Sequence, residues 1–308
     1  MRSAFQPIRA VLTAAFLCLL AADVAHADPI QTYVALGDSL AFGSSSMSPQ
    51  PSYGVQGYVQ QFANFLGTQN NGVAPNVINL AVPNETSSTY FSADQASDPT
   101  RQTGANLNYG GDSTLAQRNI LAGVLAAEHA AGRDVTTVSF ALGGGDYAAL
   151  SSSQAFTQAN MSQKEAMVQQ LLSSLQANYQ TALTQIRGAL PNAKIYLPSY
   201  YNPYGYLGPN DPTNQLYSEF VNGQLQLVQT LSSQFNASTV DLTTPFVGHE
   251  LQYTNVASGN PLPNSEGFAA ITNQLVSVAE APEPGTLSLM ALGAIGTAGL
   301  GWLRRRKS

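Results

Sequence analysis

The chain has 308 residues, a formal net charge of −6 and a single cysteine. Residues 28–281 hold six basic and 16 acidic side chains, a net charge of −10 that argues against nucleic-acid binding, which needs clustered Lys and Arg. The one cysteine, Cys18, lies in an N-terminal segment that export would remove. Disulfides, cysteine catalysis and thiolate metal sites are therefore excluded from the remaining chain.

Residues 1–27 have the pattern of a secretory signal peptide. Arg2 and Arg9 precede an apolar run from Ala10 to Ala22, and Ala25-His26-Ala27 supplies a cleavage site with small residues at both ends. The alternative is a membrane anchor, but the apolar run is too short to cross a bilayer as a helix. The sequence therefore predicts that this segment is removed on export.

Residues 28–281 alternate short apolar segments with amphipathic ones. Strands are predicted where the apolar segments are rich in β-branched or aromatic residues, at Thr32–Leu36, Asn76–Val82, Val135–Leu142, Lys194–Pro198 and Thr239–Leu242. Helical spacing predicts helices over Thr114–Ala131, Ser162–Leu190, Thr213–Phe235 and Ser265–Val278. The polar stretch Glu85–Gly111 fits neither period and is predicted to be a long, mobile surface loop. This order predicts one α/β domain, a parallel sheet covered on both faces with ligands at the carboxyl ends of its strands.

Residues 282–308 form a second targeting segment. Pro282-Glu283-Pro284 precede the 19 uncharged residues Gly285–Leu303, and the four residues Arg304–Lys307 are all basic. As a helix this run is long enough to cross a bilayer, and the basic cluster is expected to stay in the cytoplasm. The alternative, an ordinary stop-transfer anchor, predicts the same topology. The arrangement resembles the PEP-CTERM sorting signal of Gram-negative bacteria. That resemblance implies export across the inner membrane to the envelope or cell surface, an anchor in the inner membrane before processing, and an exosortase-type partner.

A candidate serine nucleophile follows the first predicted strand. Ser39 lies in the segment YVALGDSLAFG, Tyr33–Gly43, at the sheet edge where such folds place reactive groups. A serine hydroxyl is a weak nucleophile, so it needs a base, an orienting acid and donors for the oxyanion. The second Gly-Asp-Ser, residues 111–113, follows no strand and is predicted to cap the start of a helix.

Four segments, in order, resemble the sequence blocks of the GDSL esterase/lipase family, also called SGNH hydrolases. Tyr33–Gly43 is similar to the first block, and segments beginning at Asn79, Ser139 and Asn260 are similar to the second, third and last. The resemblance implies a flavodoxin-like three-layer sandwich around a five-stranded parallel sheet. It also implies a serine ester hydrolase without a cofactor, acting on acyl or acetyl esters of lipid or polysaccharide. No metal cluster is predicted, because the carboxylates are scattered and no histidine has a partner at ligand spacing.

The resemblance assigns Ser39 as nucleophile and places Ser39, Asn84 and Gly145 at the oxyanion hole. Several residues of the third and last blocks differ from the family pattern. The usual Gly-x-Asn-Asp of the third block reads Gly-Gly-Gly-Asp at 143–146, and the usual Asp-x-x-His-Pro of the last block reads Gly-Asn-Pro-Leu-Pro at 259–263. The side-chain oxyanion donor, the orienting acid and the histidine base are therefore all replaced, the base by Leu262.

Two histidines remain after export as substitutes for the missing base. His249 follows the fifth predicted strand and so leaves the sheet at the correct edge, which makes it the candidate base; the alternative is a loop histidine with a structural hydrogen bond. His129 lies near a predicted helix end, where capping of carbonyl groups is expected. Glu250, beside His249, is weak support for an orienting acid.

Two functions therefore stay open from the sequence. One is an exported, surface-associated ester hydrolase with an unconventional or slow base, and the other is an inactive relative that binds exopolysaccharide or acylated ligands. A cluster of tyrosines bears on the ligand but does not decide between them, since such rings can stack on sugars or simply cover the end of the sheet. Its members are Tyr200, Tyr201, Tyr204 and Tyr206.

Overall fold

The structure is a computed structural model that describes residues 31–92, 100–110, 112 and 114–281. The predicted signal peptide, the predicted membrane-spanning run and the basic C-terminal cluster lie outside the described residues. Within the described ranges, no helix is both long and apolar enough to cross a membrane.

A five-stranded parallel sheet forms the centre of the domain, in the order β2-β1-β3-β4-β5. Its strands are β1 (Gln31–Gly37), β2 (Asn76–Asn79), β3 (Asp134–Ala141), β4 (Lys194–Pro198) and β5 (Ser238–Val240). Each falls at a predicted position, although β2 and β5 end earlier than expected. Residues 33–36 of β1 are fully buried although successive side chains point to opposite faces, so the sheet is covered on both sides. The predicted α/β fold is confirmed.

Five longer helices cover this sheet: α2 (Gly57–Gln69), α3 (Gln117–Ala130), α6 (Met161–Ala189), α7 (Pro212–Phe235) and α10 (Ser265–Glu280). Helix α6 packs against α7, and α2 packs against α10. The starts of α6, α7 and α10 follow from local sequence, because Asn160, Asp211 and Asn264 each accept hydrogen bonds from the first turn of the helix that follows. The remaining helices are short: α1 (Ser39–Phe42), α4 (Gly144–Ser152), α5 (Gln154–Gln158), α8 (Thr243–Phe246) and α9 (Glu250–Tyr253).

Asp112 of the second Gly-Asp-Ser does not cap α3, and Gly111 and Ser113, the other predicted cap among them, lie outside the described residues. The helix begins at Gln117, three residues later than predicted, after Ala116, which makes no side-chain cap. The Asp112 carboxylate instead accepts from the backbone N–H and the hydroxyl of Thr114, which closes a turn ahead of the helix. An aspartate prefers this local bond two residues on, so its presence alone does not mark a helix start.

The prediction of a mobile surface loop over Glu85–Gly111 is wrong for the part that the structure describes. Several of its polar residues are buried, among them Glu85, Thr89, Arg101 and Asn106, each at most 4% exposed. They are buried because they bond one another and the backbone: Arg101 pairs with Glu85, and Asn106 Nδ2 donates to the carbonyl groups of Asn79 and Ala81. Polar composition was a poor guide here, since satisfied polar groups can occupy a core.

A second, two-stranded antiparallel sheet carries the last sequence block. It pairs β6 (Thr254–Asn255) with β7 (Asn260–Pro263), and the turn between them ends at Gly259 with a φ of 81°. Leu262, which occupies the position of the family's histidine base, therefore lies on a short hairpin immediately before α10.

Candidate functional site

The turn after β1 depends on a glycine whose place leaves no room for a side chain. Gly37 has a φ of 134°, and a Cβ there would lie 1.9 Å from the carbonyl oxygen of Ala141 in β3. The N–H of Asp38 donates to that same oxygen over 3.1 Å. Ser39 then begins α1, and the Asp38 carboxylate accepts from the N–H of Leu40 in its first turn. Close contact between β1 and β3 therefore fixes the position of the serine.

Ser39 is in direct contact with Asn84. The backbone N–H of Asn84 donates to Ser39 Oγ over 3.0 Å, and the serine hydroxyl donates to Asn84 Oδ1 over 3.4 Å. Asn84 has a φ of 59°, in the left-handed region that asparagine tolerates better than most residues. The structure thus brings together two of the three residues predicted for the oxyanion hole.

The third predicted residue, Gly145, has its N–H engaged elsewhere. That N–H donates to Asp38 Oδ2 over 3.2 Å. A Cβ at Gly145 would lie 2.1 Å from the carbonyl oxygen of Glu85, so the chain of the second block occupies the space that an asparagine side chain would need. The role of Gly145 in an oxyanion hole stays a prediction.

Restoring the family's asparagine at this position is therefore expected to damage the fold. Gly145→Asn should lower the free energy of unfolding by about 1–3 kcal/mol, the usual cost of overpacking, and should not create esterase activity. Urea unfolding measures the change. Gly188→Ala is the matched control, because Gly188 is exposed in α6 with nothing within 4 Å of an added Cβ, and it should be neutral or slightly stabilising. Unchanged stability of Gly145→Asn would contradict the steric argument.

Two buried carboxylates hold the loops around Ser39. Asp38 accepts from the Tyr200 hydroxyl as well as from Leu40 and Gly145, while Asp146 accepts from the N–H and the hydroxyl of Ser87 over 2.8 and 2.7 Å. Burial raises the pKa of Asp38 to about 6, although these hydrogen bonds oppose the shift. Burial likewise raises the pKa of Asp146 to about 7, against the hydrogen bonds from Ser87.

The raised pKa values of Asp38 and Asp146 predict that the protein loses stability as the pH rises. Between the ordinary aspartate pKa of 3.8 and values of about 6 to 7, the folded protein holds protons that the unfolded chain has released, so the free energy of unfolding falls across this window. Urea unfolding at about pH 5 and about pH 8 should show greater stability at the lower pH. The hydrogen bond from Arg133 lowers the pKa of Glu128 to about 2. Glu128 therefore changes the stability only below its ordinary pKa of 4.5, where stability is lost as the pH falls, and not in this window.

Asp146→Asn separates this effect from general acid sensitivity. The amide cannot lose a proton, so the difference in stability between the two pH values should shrink in the variant. A pH dependence as steep as that of the wild type would show that Asp146 does not titrate in this range.

A pocket of about 330 Å³ opens beside Ser39. Tyrosines from three segments form much of its wall: Tyr147, Tyr200, Tyr201, Tyr204 and Tyr217. The hairpin contributes Gly259, Pro261 and Leu262, and the Tyr201 hydroxyl donates to the Pro261 carbonyl over 2.9 Å. Apart from the tyrosines, Asp38 is the one ionisable residue among those that line the pocket.

Leu262 therefore faces the same pocket as Ser39, in the sequence position of the family's histidine. Sequence reasoning found Ser39, Asn84 and Leu262 but missed Tyr147 and Tyr217 as pocket residues. Tyr147 ends the segment that resembles the third block but was given no role, and Tyr217 lies on α7 and carried no motif.

His249 does not line this pocket. Its side chain is exposed, its ring stacks on Tyr253 with the centroids 5.0 Å apart, and Nδ1 lies 3.1 Å from Gln252 Oε1. Glu250 is buried and accepts from the N–H of Gly248 over 3.1 Å. The role of His249 as a substitute base stays a prediction. His129 is exposed in the last turn of α3.

Among the described residues there is no group of three or more His, Cys, Asp or Glu side chains that could hold a metal ion. The arrangement offers a serine hydroxyl, one backbone donor and an aromatic wall.

Solved structures with a similar fold include several ester hydrolases. The lipase Lip_vut3 from a goat rumen metagenome aligns with a TM-score of 0.55 and 19% identity, over 80% of this chain and 97% of its own. Phospholipase A1 from Streptomyces albidoflavus NA297 aligns with a TM-score of 0.51 and 16% identity, over 80% and 98%. A mutant of Axe2, an acetyl-xylooligosaccharide esterase from a Geobacillus species, aligns with a TM-score of 0.50 and 13% identity, over 82% and 94%. At these identities the likeness concerns the fold. No curated protein matches the sequence.

Two family matches account for most of the chain. Residues 280–307 match the PEP-CTERM protein-sorting motif, which indicates export and association with the envelope of a Gram-negative bacterium. The other match confirms the resemblance carried by the four sequence blocks. Because it extends over residues 35–270, the protein belongs to the GDSL-like lipase/acylhydrolase family.

Proposed function

We propose that the exported protein binds an ester-bearing ligand in the Ser39 pocket and does not hydrolyse it through a serine–histidine–aspartate triad. The observation that carries this proposal is Leu262, which lines the pocket where the family pattern places the base. A leucine side chain cannot accept a proton from Ser39. Removal of the histidine from such a triad costs on the order of 10⁶ in turnover.

The other lining residues do not replace the lost base. Asp38 is a carboxylate next to Ser39, but it accepts from three donors on three different segments, Leu40, Gly145 and Tyr200. Taking up a proton from the serine would weaken these contacts. The lost side-chain donor of the third block adds a further cost of about 10²–10³ in rate.

The pocket keeps features that suit binding. Its tyrosine wall offers apolar ring faces together with hydroxyl groups, which fit an acyl chain or an acetylated sugar. The Asn84 N–H donates to Ser39 Oγ in the free protein, and a ligand that displaces this bond gains a donor for its ester carbonyl. The ligand is then an acylated lipid or polysaccharide at the cell surface. As part of the proposal, residues 1–27 are removed as a signal peptide, and the C-terminal segment anchors the protein in the inner membrane until an exosortase-type enzyme processes it.

A second candidate function is a slow ester hydrolase. It is favoured by the Asn84 N–H, which lies 3.0 Å from Ser39 Oγ and keeps one oxyanion-type donor beside the nucleophile. In that case His249 would have to reach the pocket through a movement of its loop.

Hydrolysis of p-nitrophenyl acetate and p-nitrophenyl butyrate separates the two candidates. Wild type, Ser39→Ala and His249→Ala are compared, and all three are expected to match at background rate. Turnover by the wild type that both variants lose would identify His249 as the base and overturn the proposal.

Binding is tested in the Ser39→Ala background, which removes any turnover. Calorimetric titration with p-nitrophenyl butyrate is expected to show binding that Tyr204→Ala weakens about two- to tenfold, the contribution of one aromatic contact. Tyr206→Ala is the matched control, because Tyr206 is 43% exposed and does not line the pocket. Absence of binding, or equal loss in both tyrosine variants, would contradict a ligand in this pocket.

A further inference from the structure

A second depression lies on the other side of the segment that follows α1. It has a volume of about 600 Å³, within the usual range of about 300–1,000 Å³ for ligand sites. The segment Gly43–Ser52, the start of α2 and the start of α10 form its walls. Serine hydroxyls dominate the lining: Ser44, Ser45, Ser46, Ser48, Ser52 and Ser265. We refer to it as the serine groove.

One of these hydroxyls is buried and has no partner. Ser44 is 1% exposed, and its Oγ makes no hydrogen bond to any residue that the structure describes. A buried polar group without a partner is costly and uncommon in folded proteins. Because Ser44 lines the serine groove, a ligand there could supply the missing partner.

The chemistry of the groove selects for a neutral ligand rich in hydroxyl groups. No charged side chain is among the residues that line it, and three glutamines, Gln50, Gln56 and Gln61, accompany the serines. The Gln56 and Gln61 amide oxygens accept from Ser52 and Thr272 over 3.0 and 2.9 Å. Serine hydroxyls both donate and accept, as the hydroxyls of a sugar do.

Apolar surface in the serine groove suits the flat side of a sugar ring. Pro49 and Pro51 line one part, and Phe268 from α10, which is 3% exposed, lies beneath another. Ligand sites combine apolar surface of this kind with a few polar groups that fix the orientation of the ligand, and the C–H face of a sugar ring can pack on the two prolines. An acyl chain would leave the serines and glutamines unpaired, so a lipid is a poor fit.

The serine groove is also adjacent to the Ser39 pocket. Met47 lines that pocket, whereas Ser46 and Ser48 on either side of it line the groove. The same segment is tied to the hairpin, because the carbonyl oxygen of Ser45 accepts from the side-chain amides of Asn255 and Asn260 over 3.1 and 2.9 Å. A chain of several sugar units can therefore contact both depressions across one short segment.

We propose that the serine groove is a subsite for a neutral oligosaccharide chain whose acylated unit enters the Ser39 pocket. The proposal rests on the binding role proposed for that pocket, and it names the ligand class as an acylated neutral polysaccharide and not a lipid.

Calorimetric titration with four neutral hexaoses tests the subsite: xylohexaose, cellohexaose, mannohexaose and maltohexaose. At least one is expected to bind at concentrations up to about millimolar, and Ser44→Ala should weaken it about fivefold, the effect of one neutral hydrogen bond. Ser44→Ala should leave the urea midpoint unchanged or raise it, since it removes an unpaired buried hydroxyl. A merely structural role of Ser44 predicts a lower urea midpoint and unchanged hexaose binding in Ser44→Ala. Ser173→Ala, an exposed serine on α6, should bind like the wild type.

The outcomes separate the subsite from the pocket. Binding of a hexaose that Ser44→Ala weakens, without binding of p-nitrophenyl butyrate, would support the serine groove and overturn the function proposed for the Ser39 pocket. Binding of p-nitrophenyl butyrate with no hexaose bound would leave that function in place and overturn the subsite. Equal hexaose affinity in Ser44→Ala and wild type, or self-association through the groove without saccharide binding, would also overturn it.

Discussion

Leu262→His is expected to give the protein Ser39-dependent esterase activity about 10²-fold above its background rate. A triad histidine contributes on the order of 10⁶ in turnover, and a missing orienting acid removes about 10⁴ of that gain. The remainder is about 10², because Gly259 at the acid position supplies no carboxylate. Initial rates with p-nitrophenyl butyrate, compared with those of the unchanged protein, measure the effect.

Two controls show whether the gain belongs to the site. The double variant Ser39→Ala/Leu262→His should return to background, since the new base would have no nucleophile. Leu251→His adds a histidine on α9 at a position that is 55% exposed and does not line the pocket, so it should leave the rate unchanged. If Leu262→His folds but has no esterase activity, loss of the histidine base alone does not explain the lack of hydrolysis at Ser39.

Completing the triad should be harder than adding its histidine. Gly259 has a φ of 81°, where a residue with a side chain is strained, and it ends the turn between β6 and β7. Gly259→Asp/Leu262→His is therefore expected to gain little over Leu262→His. The turn of this hairpin has a backbone conformation at position 259 that favours glycine. Restoring the acid would therefore require a change of backbone conformation as well as a new side chain.

The parts of the fold that the sequence predicted are those with a strong local pattern. The strands fall near their expected positions because each is a short run of buried apolar residues, and α6, α7 and α10 follow from capping residues and helical spacing. The helix α2 was not assigned, since Gly57 begins it and Gln56 makes no side-chain cap. The buried Glu85–Arg101 pair was missed because the two residues meet through space and a polar segment carries no period.

In the site too, the features that follow from sequence motifs could be predicted, and those that depend on packing between distant segments could not. Ser39 and its contact with Asn84 could be anticipated from motif order, because both follow strands that pair in the sheet. The engagement of the Gly145 N–H by Asp38 could not, since it depends on the 3.2 Å approach of the turn after β1 to the first turn of α4. Nor could the serine groove, whose serines look like an ordinary polar loop until α10 is packed beside them.

Arg101→Met is expected to lower the free energy of unfolding by about 3–5 kcal/mol, the usual cost of leaving one partner of a buried ion pair alone. The side chains of Arg101 and Glu85 are both fully buried, with Nε and Oε1 2.9 Å apart, and Arg101 also donates to the Leu115 carbonyl over 3.0 Å. Glu85 directly follows Asn84, so the pair also anchors the segment that carries the donor to Ser39. Urea unfolding at about pH 8 measures the loss.

Two comparisons make the Arg101 prediction specific. Arg133→Met breaks a pair in which the arginine side chain is 36% exposed and screened by solvent, so it should destabilise the protein several times less than Arg101→Met. Burial raises the pKa of Glu85 and Arg101 opposes this, so without Arg101 the carboxyl should hold a proton to a higher pH. The Arg101→Met defect should therefore be smaller at about pH 5 than at about pH 8, because a neutral Glu85 is less costly to bury than a charged one. A defect equal at both pH values would mean that lost packing, and not an unpaired charge, destabilises the variant.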